Sequence, residues 1–283
     1  MSPGRRIIVE VRGGDLSGAK AIIAPGEALR IGRTERAHLI IPGDANLSPI
    51  HCELTWNGAT CLLRDAGSAG GTWLQGARVR GAVEVPHAAS IQAGGSSFLV
   101  HCEAFSPAPA PLPPALARAA AEARAALATR LGRLYAVLDA ARDARILTLL
   151  RESVDPTRSL HDIADGEAPA GVAPTLVSFR RDSGLLDRLL GEGWGRGWGV
   201  FVTSAASFAA VRRHLRRFLP VAGDDGGPSL RFHDPRALRE HLRRATPQQR
   251  ADLFAGLDTF LLEGEEGELL DFAAPPPRAP SRP

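Results

Sequence analysis

The chain has 283 residues, 44% of them hydrophobic and 23% charged, with a formal net charge of +3 and a sequence pI of about 9.1. That length suits about two domains, and the apolar share lets each bury a core. The basic charge is almost all arginine, scattered along the chain, which describes a solvated surface and not the basic stripe of a nucleic-acid binder.

Three cysteines, Cys52, Cys61 and Cys102, form no C-x-x-C, and no histidine stands at metal-ligand spacing, so buried free thiols are expected and neither a metal nor a cofactor. The start of the chain lacks the apolar core of a signal peptide, and no run of about 18 apolar residues occurs anywhere. A soluble cytoplasmic protein without membrane association is the expectation.

From Arg5 to about Phe105, short apolar runs alternate with turn residues. The runs are Ile7 to Val11, Ala21 to Ile23, Leu29 to Ile31, Leu39 to Ile41, Cys52 to Trp56, Thr60 to Leu63 and Phe98 to Cys102. Between them lie breakers such as Gly13-Gly14, Pro25-Gly26 and Gly94-Gly95, and Asn57-Gly58 signals a hairpin. This pattern predicts an antiparallel β-sandwich over residues 1–105. Ser106 to Pro114 is a proline-rich linker, and Ala115 to Leu131 is a helix by propensity, the two forming a connecting segment over residues 106–132. That helix either extends the spacer or covers part of the second domain.

From residue 133 to 272 the pattern becomes mixed α/β. Strands are predicted at Leu134 to Leu138, Thr175 to Phe179, Gly199 to Thr203 and Leu230 to Phe232. Helices are predicted at Ala141 to Glu152, Asp182 to Leu190 (capped by Asp182 or Ser183), Ser204 to Phe218, Pro235 to Arg244 and Pro247 to Ala255. Phe260 to Leu262 and Leu269 to Phe272 form a closing hairpin, and the proline-rich tail, residues 273–283, is expected to be disordered.

Within this half, residues 191 to 202 read Gly-Glu-Gly-Trp-Gly-Arg-Gly-Trp-Gly-Val-Phe-Val. Glycines at a turn can cradle phosphate, but no placement gives G-x-G-x-x-G; a P-loop needs a lysine after its last glycine, and the chain's only lysine, Lys20, is followed by Ala21. The glycines also come after the helix instead of preceding it, which puts the wrong end of the dipole at an anion. The stretch therefore predicts a helix-to-strand corner that packs Trp194 and Trp198.

Three segments of the first half can meet at one end of a sandwich: Gly32-Arg33, Ser48-Pro49-Ile50-His51 and Gly67-Ser68-Ala69-Gly70-Gly71-Thr72. An arginine fork beside a serine hydroxyl suits a phosphate. The arrangement resembles the forkhead-associated (FHA) domain, a phosphothreonine-peptide reader, over roughly residues 5 to 103. The resemblance implies that Arg33 and Ser48 contact phosphate, that Ser68, Gly71 and Thr72 complete the peptide site, and that Gly32 and His51 support it. Where the family offers threonine then asparagine to hold the peptide backbone, this chain has Ala69 and Gly70. The alternatives are a phosphopeptide reader and an FHA domain that docks a partner without phosphate.

The second half holds no G-x-S-x-G, H-E-x-x-H or C-x-x-C. His161-Asp162 with Asp165 and Glu167, and His233-Asp234, are the candidate polar clusters, and Asp234 before Pro235 reads as a helix cap. Leu134 to Arg142, Gly193 to Phe201, Leu215 to Leu219 and Arg231 to Arg236 together resemble a bacterial domain of unknown function found in adaptor chaperones of the type VI secretion system (the Tap/TEC proteins). The resemblance implies a non-catalytic protein that binds a secretion effector and helps load it onto the VgrG spike protein, with the FHA domain docking a phosphothreonine-containing protein. The alternative is a hydrolase or transferase fused to a phosphothreonine reader, with His161, Asp162 and His233 in its site.

Overall fold

The first half folds as two β-sheets, in which strands such as Cys61–Asp65 and Ala89–Ala93 alternate buried and exposed side chains and so bury one face, while Ile7–Val11 is buried on both. The structure, a computed structural model, describes residues 5–12, 16–161, 174–219 and 230–276. One sheet has the order β2 (Lys20–Ile23), β1 (Ile7–Arg12), β11 (Ser96–Cys102), β10 (Ala89–Ala93), β7 (Thr72–Leu74) and β8 (Ala77–Arg78). The other runs β4 (Leu39–Ile40), β3 (Ala28–Gly32), β5 (Cys52–Trp56), β6 (Cys61–Asp65) and β9 (Val83–Glu84). In β10 the alternation is complete, with Ala89, Ile91 and Ala93 buried and Ser90 and Gln92 exposed. The core takes Val9, Ile31, Leu54, Leu63, Ile91 and Phe98, together with Cys52 and Cys61 as free thiols.

The Asn57-Gly58 signal does mark the β5–β6 hairpin, but its loop has four residues, because Trp56 pairs with Cys61 and the Asn57 Oδ1 accepts the Ala59 and Thr60 amides at 2.8 and 2.7 Å. Strands β7 to β10 escape the sequence pattern, since three of them are only two or three residues long. The compact unit formed by Met1–Pro107 also takes in Leu150–Pro156. Lys20 explains the addition: its Nζ donates to the carbonyls of Leu150, Ser153 and Asp155 at 2.7, 2.8 and 3.3 Å. Burial pulls this amine down to about 8, against the opposing pull of Glu10 and Asp155.

The second unit is built on a six-stranded sheet in the order β13 (Thr157–Ser159), β14 (Thr175–Ser178), β12 (Leu134–Leu138), β15 (Gly199–Thr203), β16 (Thr259–Glu263) and β17 (Leu269–Ala273). Every pairing is antiparallel. Alternation of strands and helices along the chain does not by itself make the sheet parallel. The helices are α1 (Pro114–Ala128), α2 (Ala144–Arg151), α3 (Leu185–Gly193), α4 (Phe208–Arg216), α5 (Pro235–Arg244) and α6 (Pro247–Phe254). Helix α1 belongs to this unit and is not a spacer: Arg124 reaches Asp187 of α3 at 2.7 Å, and Arg130, just past the end of α1, reaches Asp271 of β17 at 2.8 Å.

The caps follow side-chain chemistry. Ser207 accepts the Ala210 amide at the start of α4, Asp234 accepts Arg236 at α5, and Thr246 with Gln249 forms a capping box on α6. At α3 the capping position falls on Gly184, and Ser183 accepts the Leu185 amide. Leu230 to Phe232, expected as a strand, is a turn in which the Phe232 amide returns to the Leu230 carbonyl at 2.8 Å. Its apolar character serves burial, as Phe232 is fully enclosed in the core with Val211, Leu215 and Leu238. In the tail, Ala273 ends β17 and the Ala274 amide donates to the Asp258 carbonyl at 2.8 Å; residues 277–283 lie outside the described residues. No helix among the described residues is long and apolar enough to cross a membrane.

The glycine-tryptophan run is a corner between α3 and β15. Trp194 and Trp198 are 3% and 5% exposed, and the Trp194 indole donates to the Gly267 carbonyl at 2.7 Å. The Trp198 ring lies so close to Gly193 that a side chain there has no room. Glu263 fastens the turn from the side by accepting the Gly195 amide at 2.6 Å, and burial holds its carboxyl above the usual range.

In the first unit His101 is 3% exposed, and neither ring nitrogen has a partner among the described residues. Burial, with help from the nearby His87, Arg151 and Lys20, pushes it down to about 4 from an ordinary 6.5. Between those values the unfolded chain takes a proton that the folded state refuses, so stability is lost as pH falls through that window. The loss reaches up to about 3 kcal/mol. Replacing His101 with Leu should flatten this part of the melting temperature against pH curve.

Candidate functional site

The end of β3 and the two loops around His51 are joined by short main-chain contacts. The Arg33 amide donates to the Ser48 carbonyl at 3.1 Å, the His51 amide to Ile31 at 2.8 Å, and the Ala66 amide to the His51 carbonyl at 2.9 Å. Gly32 faces the Pro49 carbonyl so closely that no side chain fits at that position. The structure thus brings all three predicted segments to one place.

His51 is the brace. It is fully buried, its Nδ1 accepts the Ser48 amide at 3.1 Å, and its Nε2 lies 2.9 Å from the Gly71 carbonyl. An amide can only donate and a carbonyl only accept, so the ring is neutral with the proton on Nε2. The third loop is ordered from inside by Asp65, which accepts the amides of Gly67 and Ser68 at 3.0 Å each and the hydroxyls of Ser68 and Thr72 at 2.6 Å each. Burial pushes this carboxyl up, but the hydroxyls of Ser68 and Thr72 and the two amides outweigh it and hold the group below the usual range.

Arg33 and Ser48 face outward. Arg33 is exposed, and its Nε donates to the Leu47 carbonyl at 3.3 Å, leaving its other donors without a protein partner among the described residues. Ser48 Oγ accepts the Ala69 amide at 3.1 Å, which keeps its own O–H available to an incoming acceptor. Chemically this is a small anion seat, an arginine fork beside a hydroxyl whose position is fixed by a backbone amide.

Two of the residues expected to meet a ligand do something else. Thr72 is fully buried and spends its hydroxyl on Asp65, so it anchors the loop and does not line the site. Ser68 likewise donates to Asp65 and accepts the Gly71 amide at 2.9 Å. Sequence spacing could not separate the rim of this loop from its inside, because Ser68 and Thr72 are polar in either role. Gly71 is buried at φ +88°, a conformation that suits glycine, and serves through its carbonyl on His51. Ala69 and Gly70 are exposed, and the space beyond Gly70 is open, so no side-chain amide is offered there.

In the second unit, Asp234 caps α5 and stands 3.6 Å from Arg142. His161 is exposed; Asp162, Asp165 and Glu167 lie outside the described residues. His233 is held low by burial, its Nε2 is 3.9 Å from Asp139, and its Nδ1 has no partner among the described residues. No group of three metal-ligating side chains occurs among the described residues.

Residues 29–94 match the FHA domain, and residues 134–252 match a domain of unknown function, DUF4123. No curated protein matches the chain. Among solved structures, the chain is similar to a domain studied for phosphothreonine-dependent FHA interactions, at 26% identity over 36% of this chain and 98% of that one, with a TM-score of 0.32. It is also similar to the FHA domain of an Arabidopsis thaliana hypothetical protein, at 25% identity over 37% of this chain and 89% of that one, with a TM-score of 0.33. A third is the FHA domain of a Chlamydia trachomatis protein, at 21% identity over 34% and 96%, with a TM-score of 0.32.

Because His51 satisfies one donor and one acceptor in an enclosed place, His51→Ala should cost roughly 2–4 kcal/mol. It should also speed amide exchange at Ser48, measured by hydrogen exchange alongside thermal melting.

Proposed function

We propose that this chain, an FHA domain followed by a DUF4123 domain, is a non-catalytic adaptor of type VI secretion. The FHA domain docks a phosphothreonine-bearing protein, and the DUF4123 domain holds a secretion effector and helps bring it to the VgrG spike. The protein acts in the cytoplasm without a cofactor. The observation that carries the docking half is the Arg33–Ser48 seat, whose geometry exists before any ligand arrives because His51 and the Ala69 amide fix it. A preformed anion site loses little entropy on binding.

The effector half is supported by the DUF4123 match together with a second unit whose most distinctive residues, Trp194 and Trp198, are spent on packing. An adaptor needs a stable surface more than a reactive cleft. Its contacts are with protein, so specificity comes from shape and charge at that surface.

Two outcomes test this reading. Arg33→Ala should weaken binding of a phosphothreonine peptide by at least about tenfold, since it removes charge-assisted hydrogen bonds; equal binding by the variant rules out the phosphate seat. Tagged protein expressed in a secretion-active cell should co-purify a spike protein and a toxin, identified by mass spectrometry. Recovery of neither would sink the adaptor reading.

A further inference from the structure

A second guanidinium, that of Arg78, packs on Gly71 of the third loop, the loop whose Ala69 amide holds the Ser48 hydroxyl. In the narrow ribbon of β7 and β8, Trp73 pairs directly with Arg78, so the two side chains stand on the same side of the ribbon. The Arg78 guanidinium carbon lies 5.8 Å from the centre of the Trp73 ring. Its Nε and Nη2 also lie against Gly71: a methyl group on that glycine would sit 3.0 and 3.1 Å from them. Glycine at this position is what lets the guanidinium approach.

Arg78 is exposed, and no carbonyl or carboxylate among the described residues takes any of its donors. A guanidinium steadied on an aromatic face has little conformational entropy left to lose, and its fork is still available for an anion. Its place is informative. Gly71, which it touches, is the residue whose carbonyl meets His51, and Ala69, two positions earlier, holds Ser48 Oγ. The loop between them is Gly67-Ser68-Ala69-Gly70-Gly71, in which the only polar side chain, Ser68, is bonded to Asp65. Whatever this loop recognises by side chain must therefore be recognised by a neighbour, and Arg78 is the neighbour packed on it.

We propose that Arg78 binds a second anionic group on the ligand, a carboxylate or a second phosphate flanking the phosphothreonine, and so supplies a side-chain contact to the ligand at a loop where Ala69 and Gly70 offer none. This rests on Arg33 and Ser48 forming the phosphothreonine seat. The specificity that results is for acidic or multiply phosphorylated segments, with the main phosphate at Arg33 and the second charge at Arg78.

The test uses the full chain and fluorescence anisotropy at low salt. Four kinds of peptide are compared: one phosphothreonine in an alanine-rich background, the same peptide with aspartate scanned through the flanking positions, the same with a second phosphothreonine, and the acidic peptide without phosphate. The wild type should prefer a flanking anion by about fivefold, the scale of a well-placed exposed ion pair. The aspartate and second-phosphate arms show which source is favoured. Arg78→Gln should erase that preference, weakening the flanking-anion phosphopeptides about fivefold more than the alanine-flanked one, while Arg80→Gln, which removes an exposed charge two residues away, should retain it. Thermal melting of each variant confirms folding.

Retention of the preference by Arg78→Gln, or an equal loss for every peptide, overturns the assignment. If the wild type binds phosphopeptide through Arg33 but shows no preference, the role of Arg78 falls and the seat stands. If no phosphopeptide binds, the seat falls and Arg78 with it.

Discussion

One buried imidazole, that of His51, ties together two loops at one end of the first unit. His51 takes a proton donor from one loop and gives its own proton to the next, and both bonds require the neutral ring with its hydrogen on Nε2. The outward-facing groups depend on it. Ser48 is oriented because its amide is fixed by His51 and its hydroxyl oxygen by Ala69; the third loop stays in reach because Gly71 is tied to the same ring and Asp65 gathers its amides and hydroxyls. Arg33 is held by its backbone bond to Ser48 and by the bond of its Nε to the Leu47 carbonyl. Most polar side chains of this end are spent on order, and the proposed recognition falls to the Arg33 fork and the Ser48 hydroxyl.

The second unit uses its rarest residues in the opposite way. Its glycines and tryptophans look like a site and are a corner. The two indoles are enclosed, Trp194 bonds a carbonyl of the closing hairpin, and Glu263 pins the turn. Such a corner fixes the direction in which the chain leaves α3 and enters the sheet at β15, beside the central β12. Burial of this kind stabilises by packing and excludes water.

Much of this was legible in the sequence. Short apolar runs between turn residues located the long strands of the sandwich, and Asp234 before Pro235 announced the helix it caps. Arg33, Ser48 and His51 were recognisable as a group through the family resemblance, although a parallel strand, β4, lies between the first two. Other features were hidden for physical reasons. Strands of two or three residues show no period, and a Leu-x-Phe run such as Leu230 to Phe232 buries itself equally well as a turn. Ser68 and Thr72 could not be placed because only the third dimension tells which face of a loop is inside. Arg78 carried no signal, since its meaning comes from a cross-strand partner and from a glycine seven residues away.

The central claim is that a ready-made seat for phosphothreonine lies at the end of the first unit. The most direct measurement is a heteronuclear NMR titration of the full-length, isotope-labelled chain with a phosphothreonine peptide and with its unphosphorylated twin. Saturable shifts are predicted at the amides of Arg33, Ser48, Ala69 and Gly71 with the phosphorylated peptide alone. Identical shifts with both peptides, or shifts that leave these four amides unmoved, would contradict it.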